Sequence, residues 1–271
     1  MSDNATSVSP ADLAQNRVFE RLARAGFVAS GLLHLIVGYL AIRVAFGDRS
    51  SADQSGALAA LATKPGGTFA LWIAAITLLT LGMWRLIETF LGRATDRARD
   101  GSSSSGVLDR AKAFGVAAVY LAFAYSTFGF ARGTGKSASE QNSTVSARLM
   151  QNTAGTVALI ACGLIVVGVG VYHIHKGASR NFLDDLHGRS GNLVRRLGTV
   201  GYIGKGAVIA AAGALVVVAA LRSEPKKATG LDGALKTLGA QPYGVALLIV
   251  AGLGIITYGL YCFALARRTK M

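Results

Sequence analysis

The sequence predicts an all-α, polytopic membrane protein. Six transmembrane helices form three parallel two-helix repeats, arranged as a pseudo-threefold bundle with short outer interfacial helices. Three observations predict this fold class. Apolar residues fall in six runs with few or no charges, each about the 20 residues that a helix needs to cross a bilayer. Glycine is abundant at 34 of 271 residues, while proline is scarce at 4. One order of glycine, proline and aromatic positions returns along the chain, the signature of internal repetition. The runs are 25–46, 68–91, 113–131, 154–175, 199–221 and 243–266, and the gaps between them leave no room for a separate soluble domain.

A polar N-terminal arm, 1–21, carries Asp3, Asp12 and Glu20 ahead of the first run. No small-residue cleavage site follows that run, so it is expected to be a retained span rather than a signal peptide. The repeats are expected at 22–93, 110–186 and 195–271, with linkers at 94–109 and 187–194. A shift of 175 residues lays Gly26, Gly31 and Gly38 on Gly201, Gly206 and Gly213. A shift of 177 lays Pro65, Gly67, Gly82 and Trp84 on Pro242, Gly244, Gly259 and Tyr261. A shift of 88 finds the middle copy, at Gly155, Gly170 and Tyr172, with Tyr120, Thr127 and Thr153 where the other copies carry glycine or proline. Two spans per copy give every copy the same orientation, so the repeats are parallel rather than inverted.

Small residues seven apart mark one face of five of the six long runs. The pairs are Gly31 and Gly38, Ala75 and Gly82, Gly163 and Gly170, Gly206 and Gly213, and Gly252 and Gly259. Lipid tails are as apolar as leucine, so such faces are expected to be the helix-packing surfaces, where small residues let backbones approach.

The segments GALAALATKPGG (56–67) and GALKTLGAQPYG (233–244) join the two spans of the first and last copies. Ala57, Leu58 and Leu61, and likewise Ala234, Leu235 and Leu238, fall on one face of a short helix suited to the interface. Pro65 and Pro242 are expected to start the helices that follow, where a missing N–H costs nothing. The middle connector is less distinct, around Val145 to Gly155.

The formal charge of +14 is distributed as membrane insertion requires rather than as a nucleic-acid footprint. Eighteen lysines and arginines fall on the side of the termini. They are Arg17, Arg21, Arg24, Arg85, Arg93, Arg97, Arg99, Arg110, Lys112, Lys176, Arg180, Arg189, Arg195, Arg196, Lys205, Arg267, Arg268 and Lys270. Ten fall on the other side. The positive-inside rule then places both termini in the cytoplasm. The expected partners are the bilayer, including anionic headgroups at the basic loops, and other membrane proteins; no nucleic-acid partner is expected. Cys162 and Cys262 lie at different depths and are expected to remain unpaired.

On its glycine-patterned odd helices, its Gly-Ala-Leu to Pro-x-Gly connectors and its Gly-x-aromatic helix ends, the chain from about Leu22 resembles an uncharacterised bacterial integral membrane family. That family is a domain of unknown function with three tandem pairs of transmembrane helices. The resemblance implies a six-span membrane protein and carries no activity or catalytic residues with it.

Chemistry-bearing residues are few. GFARGTGKS (129–137) ends like a phosphate loop, but Phe130 stands where that loop needs glycine, and no strand precedes it. It reads as a loop. His34 lies near the middle of the first span, where polar side chains default to a functional hypothesis. It is the candidate cofactor- or ligand-binding residue, set against the simpler role of an interhelical hydrogen bond. His173 is near the end of the fourth span, by helix rise roughly 12 Å from the level of His34, too far to share a haem iron. Arg85 and Glu88 are spaced to pair on one helix face. Lys205 is expected to snorkel to the headgroups beside the termini. No catalytic triad, metal-ligand cluster or intramembrane acidic pair is present, so no catalytic or metal site and no cofactor are expected. The leading function class is a non-enzymatic accessory or scaffold subunit. A small-solute or ion permease with a site on the repeat axis is the alternative, and a haem- or quinone-associated redox protein the third.

Overall fold

In the computed structural model the six apolar runs fold as long helices, and short helices connect them. The structure describes residues 10–48, 50–91, 103–186 and 191–268. Outside the described residues lie 1–9 of the arm, much of both linkers, and Arg49, Arg93, Arg97, Arg99, Arg189 and Lys270. The side chains of Arg17, Arg21, Glu88 and Lys112 are outside them too, so the Arg85–Glu88 expectation falls there. The described elements are all helical. They are α1 (Pro10–Ala45), α2 (Gln54–Ala62), α3 (Gly67–Leu91), α4 (Ser103–Ala131), α5 (Ala138–Leu149), α6 (Thr153–Ser179), α7 (Asn192–Leu221), α8 (Leu231–Gly239) and α9 (Gly244–Arg268).

Six of these helices are long and apolar enough to cross a membrane: α1, α3, α4, α6, α7 and α9. Their bounds follow the hydropathy runs closely at the connector ends. At the other ends helix continues into polar sequence, back to Pro10 in α1 and to Ser103 in α4. Each copy is thus a long helix, a short helix and a long helix, and the protein is a multi-pass membrane protein built from three repeats.

The chain divides into two compact units, one comprising 1–54 with 138–271 and the other 55–137. In the larger unit α1 packs along α9, α6 packs along α7, and α7 packs along α9. In the smaller unit α3 packs along α4. The closest pairs therefore join the second helix of one copy to the first helix of the next, with the last copy returning to the first.

Small residues set these pairs. A Cβ built on Gly38 would stand 2.6 Å from the Gly252 carbonyl oxygen, and one on Gly252 2.8 Å from that of Gly38. Gly31 and Gly259 face each other in the same way at 3.0 and 2.9 Å. The α6–α7 pair repeats the design, Gly213 meeting the carbonyl of Gly163 at 2.7 Å and Gly206 that of Gly170 at 2.7 Å. A seven-residue step along one helix meets a seven-residue step back along its antiparallel neighbour, so the register holds over two turns. In the smaller unit Gly82 of α3 receives the Leu121 side chain of α4, and Trp72 meets Phe128 edge-on at 5.2 Å.

The connectors correct one expectation. Pro65 and Pro242 do not begin helices; α3 and α9 start two residues later, at Gly67 and Gly244. Each proline instead takes the second position of a tight turn, closed by Gly67 N–H donating to Lys64 O (2.9 Å) and Gly244 N–H donating to Gln241 O (2.8 Å). The third residue has positive φ, +74° at Gly66 and +67° at Tyr243, which makes both type II turns. In all three copies the first turn of the next helix carries a glycine pressed against a carbonyl of the connector helix: Gly67 on Leu61, Gly155 on Leu149 and Gly244 on Gly239. The middle copy replaces the proline turn with an N-cap, Asn152 Oδ1 accepting from Gly155 N–H at 2.7 Å.

Candidate functional site

The larger unit contains a cavity of about 780 Å³. It is lined by one face of α1, α6, α7 and α9, together with α5, α8 and the segment before each of α2 and α8. Its volume is that of a small-molecule pocket. The walls are apolar, from Leu33 and Val37 of α1, Leu159 and Val166 of α6, and Val208 and Val216 of α7.

One end holds His34 and Lys205. His34 is placed by the glycine register of α1 on α9, which sets its Cβ against Gly259. Its Nδ1 donates to the Ser30 carbonyl of its own helix at 2.7 Å, and its ring tilts against Tyr258 at 4.8 Å. The expected interhelical hydrogen bond is therefore replaced by an intrahelical one and a ring contact. With Nδ1 donating, the neutral ring keeps Nε2 as an acceptor.

Lys205 does not snorkel, which corrects the expectation for it. Its Nζ sits 4.0 Å from the centroid of the Tyr258 ring and lines the cavity. The close approach of Gly204 to Gly254 on α9 puts Lys205 near mid-span, too deep for its stem to reach the headgroups beside the termini. Among the described residues no carboxylate lies within ion-pair distance of it, and the Tyr258 ring face is its electrostatic partner.

Beyond His34, toward the termini, the helices close on an aromatic cluster. Tyr202, Tyr258, Tyr261 and Phe182 pack together with centroids 5.2 to 6.3 Å apart, Phe182 stacked on Tyr202 and the other pairs edge-on or tilted. Phe182 arrives on the 3-10 turn Asn181–Leu183, is fully buried, and rests on Gly198. Its carbonyl accepts from Tyr261 Oη at 3.3 Å. Cys262 is buried in this cluster, while Cys162 is exposed and lines the cavity; both are free.

His173 borders the same cluster, with Nδ1 donating to Val169 O at 2.8 Å and its ring 5.8 Å from Tyr202. The register of α6 on α7 brings it close to the level of His34, correcting the separation expected from counting residues. Helix α6 runs on to Ser179, which sets His173 deeper in its span. The two histidines are still not brought together, because the rings of Tyr258 and Tyr202 stand between them.

The opposite end of the cavity lies beneath the connectors, where Asn142 and Ser146 of α5, Asp53 and Gly230 line it. Here Asp232, at the start of α8 and 1% exposed, holds three chain segments together. Its Oδ1 accepts from Ala52 N–H at 2.9 Å, and its Oδ2 accepts from Ser139 Oγ and Lys236 Nζ, both at 2.8 Å. Ala52 precedes α2, Ser139 belongs to α5 and Lys236 to α8, so one carboxylate ties the connector regions of all three copies. Sequence reasoning passed over Asp232. Its available signal was the Asp-x-x-x-Lys spacing, 232 to 236, on a short helix. The loop 132–137, including Gly135 and Lys136, has no regular structure.

Among the described residues no group of three or more histidine, cysteine or acidic side chains is placed to hold a metal ion. The arrangement offers one cation, one imidazole acceptor and a long apolar wall. That chemistry binds and orients.

Comparison with known proteins finds the profile of a family described as Domain of Unknown Function (DUF1206) three times, at residues 25–92, 111–180 and 200–269. An uncharacterised protein of Bacillus subtilis (strain 168), YxxB, is 28% identical over 249 residues, covering 89% of this chain and 88% of its own. No solved structure matches.

Proposed function

We propose, given that this chain belongs to the DUF1206 family, that it is a non-enzymatic inner-membrane protein which takes a small solute into the cavity of its larger unit. Of the classes left open by the sequence, this is the permease class in its minimal form: a solute site reached from one face of the membrane. One observation carries the reading. Lys205 turns its charge into an apolar cavity near mid-span without a carboxylate partner among the described residues. An unpaired cation there is costly, and intramembrane charges of this kind mark ligand or ion paths. A scaffold that only presented helix faces would have no use for it. A haem held between two axial histidines is not supported, because His34 and His173 do not converge on a common point. The aromatic cluster ends the cavity midway, so the site is a half-depth vestibule. With the termini in the cytoplasm, it faces outward.

The native Cys162 tests this in membranes. In a Cys262→Ser background, water-soluble methanethiosulfonates should modify Cys162, because a thiol facing only lipid does not ionise to react. The anionic sulfonatoethyl reagent should outpace the cationic trimethylammonioethyl reagent, and Lys205→Gln should shrink that ratio on the order of tenfold, one elementary charge having left the cavity. No modification by either reagent would overturn the reading. The orientation has its own check. An impermeant maleimide should label Gln151→Cys, an exposed position beside α5, on intact cells with Cys162 and Cys262 replaced by serine. Labelling only after lysis would reverse the topology.

A further inference from the structure

We infer that the solute is a single-chain amphipathic monoanion of the carboxylate class, its head group at Lys205 and His34 and its chain lying along α7 toward the connectors. This inference rests on the solute-binding reading and adds the class of ligand.

The head-group end presents the ammonium of Lys205, with three donors, beside an imidazole whose Nδ1 is committed to Ser30. One cation balances one negative charge. A phosphate dianion would find no second cation, since Lys205 is the sole basic side chain among the described lining residues other than His34. Tyr258 lies under both groups, its ring 4.8 Å from His34 and 4.0 Å from the Lys205 Nζ. It fixes them side by side and keeps water from the far side. A carboxylate accepts from the ammonium through one oxygen. When protonated it can donate to Nε2 of His34, so the pair can hold the head group in either form.

The body of the ligand is read from the walls. From Lys205 to Val216 the lining of α7 runs for roughly 17 Å. Val208, Ile209, Ala212 and Val216 follow without a polar side chain, opposed by Leu159 and Val166 of α6. A compact hydrophilic anion would leave this length bare, whereas an alkyl chain fills it, each buried methylene contributing about 0.8 kcal/mol. Among the described lining residues the cation lies at mid-span, and no basic side chain lines the connector end. That polarity sends the head group to mid-span and leaves the chain end beneath α5 and α8.

The test uses the full chain in nanodiscs, in the Cys262→Ser background. The readout is the rate at which neutral N-ethylmaleimide modifies Cys162, with and without dodecanoate. Dodecanoate should slow the reaction at least about fivefold, while dodecanol, dodecyltrimethylammonium and acetate should leave it within about twofold. Lys205→Gln should weaken dodecanoate protection on the order of tenfold, the worth of one charge-assisted contact, and Lys205→Arg should retain most of it. A Gln151→Cys control with both native cysteines replaced reports any general effect of the amphiphile on the reagent. A far-UV circular dichroism spectrum of Lys205→Gln that overlays that of its parent shows that the variant is folded. Equal protection by dodecanol would overturn the inference, because charge would play no part. Equal protection by acetate would overturn it also, making the ligand a small anion. If the charged methanethiosulfonates modify Cys162 but dodecanoate gives no protection, the ligand class falls while the solute-binding reading stands.

Discussion

Gly38→Leu is expected to destabilise the larger unit by about 3 kcal/mol, the upper range for forced overpacking. The reason lies in what its side chain would meet. A Cβ on Gly38 lands 2.6 Å from the Gly252 carbonyl oxygen, and that atom belongs to the backbone of α9, not to the movable end of a side chain. Either the helices separate or α9 distorts. Separation also removes the dispersion contacts made by Gly31 against Gly259 and by Ile256 and Ile42 at the same seam. Gly26→Leu on the same helix is the matched control, because nothing stands within 4 Å of its Cβ direction. Its effect should remain within about 0.5 kcal/mol, as for ordinary surface positions. Thermal unfolding in detergent, followed by the reactivity of the buried Cys262 thiol, measures both. Equal midpoints for the two variants would refute the α1–α9 seam.

Asp232→Ala should cost a similar amount, about 3 kcal/mol, by a different route. Removing the carboxylate strands the Ala52 amide, the Ser139 hydroxyl and one partner of Lys236. Each lost bond is worth about 1 kcal/mol, more where the group left behind is buried. Asp232→Asn retains an acceptor for Ala52 and should lose roughly half as much. The damage should also be local. Amide hydrogen exchange is expected to rise in α5, in α8 and around Ala52, while the α6–α7 seam, held by Gly163, Gly170, Gly206 and Gly213, keeps its protection. Uniform loss of protection would show that Asp232 supports the whole unit; no change at all would show that the connectors are held by packing alone.

Much of the architecture was legible because membrane insertion leaves a coarse trace. The length and apolarity of the six runs identify the spans, and the shifts of 175, 177 and 88 residues reveal the copies. The connector helices were legible in the first and last copies through Gly-Ala-Leu, and less so in the middle, where α5 is polar. The prolines were misplaced by two residues, since Pro-x-Gly fits both a helix start and a type II turn, and only the positive φ of Gly66 and Tyr243 decides between them.

The site was much less legible. His34 drew attention because a histidine at mid-span is costly wherever it points. Lys205 was assigned to the headgroups because a lysine's depth depends on the register of α7 against α9, which no local pattern records. Asp232 was missed because its donors lie 180, 93 and 4 residues away. A cavity has no residues of its own, so neither its length nor its polarity could be read from the walls one helix at a time.

By itself, then, the sequence determined how many helices cross the membrane, that they come in three like-oriented copies, and which face of each is small enough for close approach. Hydropathy and helical period are local properties, and they survive in one dimension. Tertiary structure alone decided that each copy's second helix packs on the next copy's first. It also decided that the glycines meet one another's carbonyls, and that a lysine near mid-span faces an apolar cavity. A stripe of small residues sets how near a partner can come and is silent on which partner it is; that choice belongs to contacts between residues far apart in the chain.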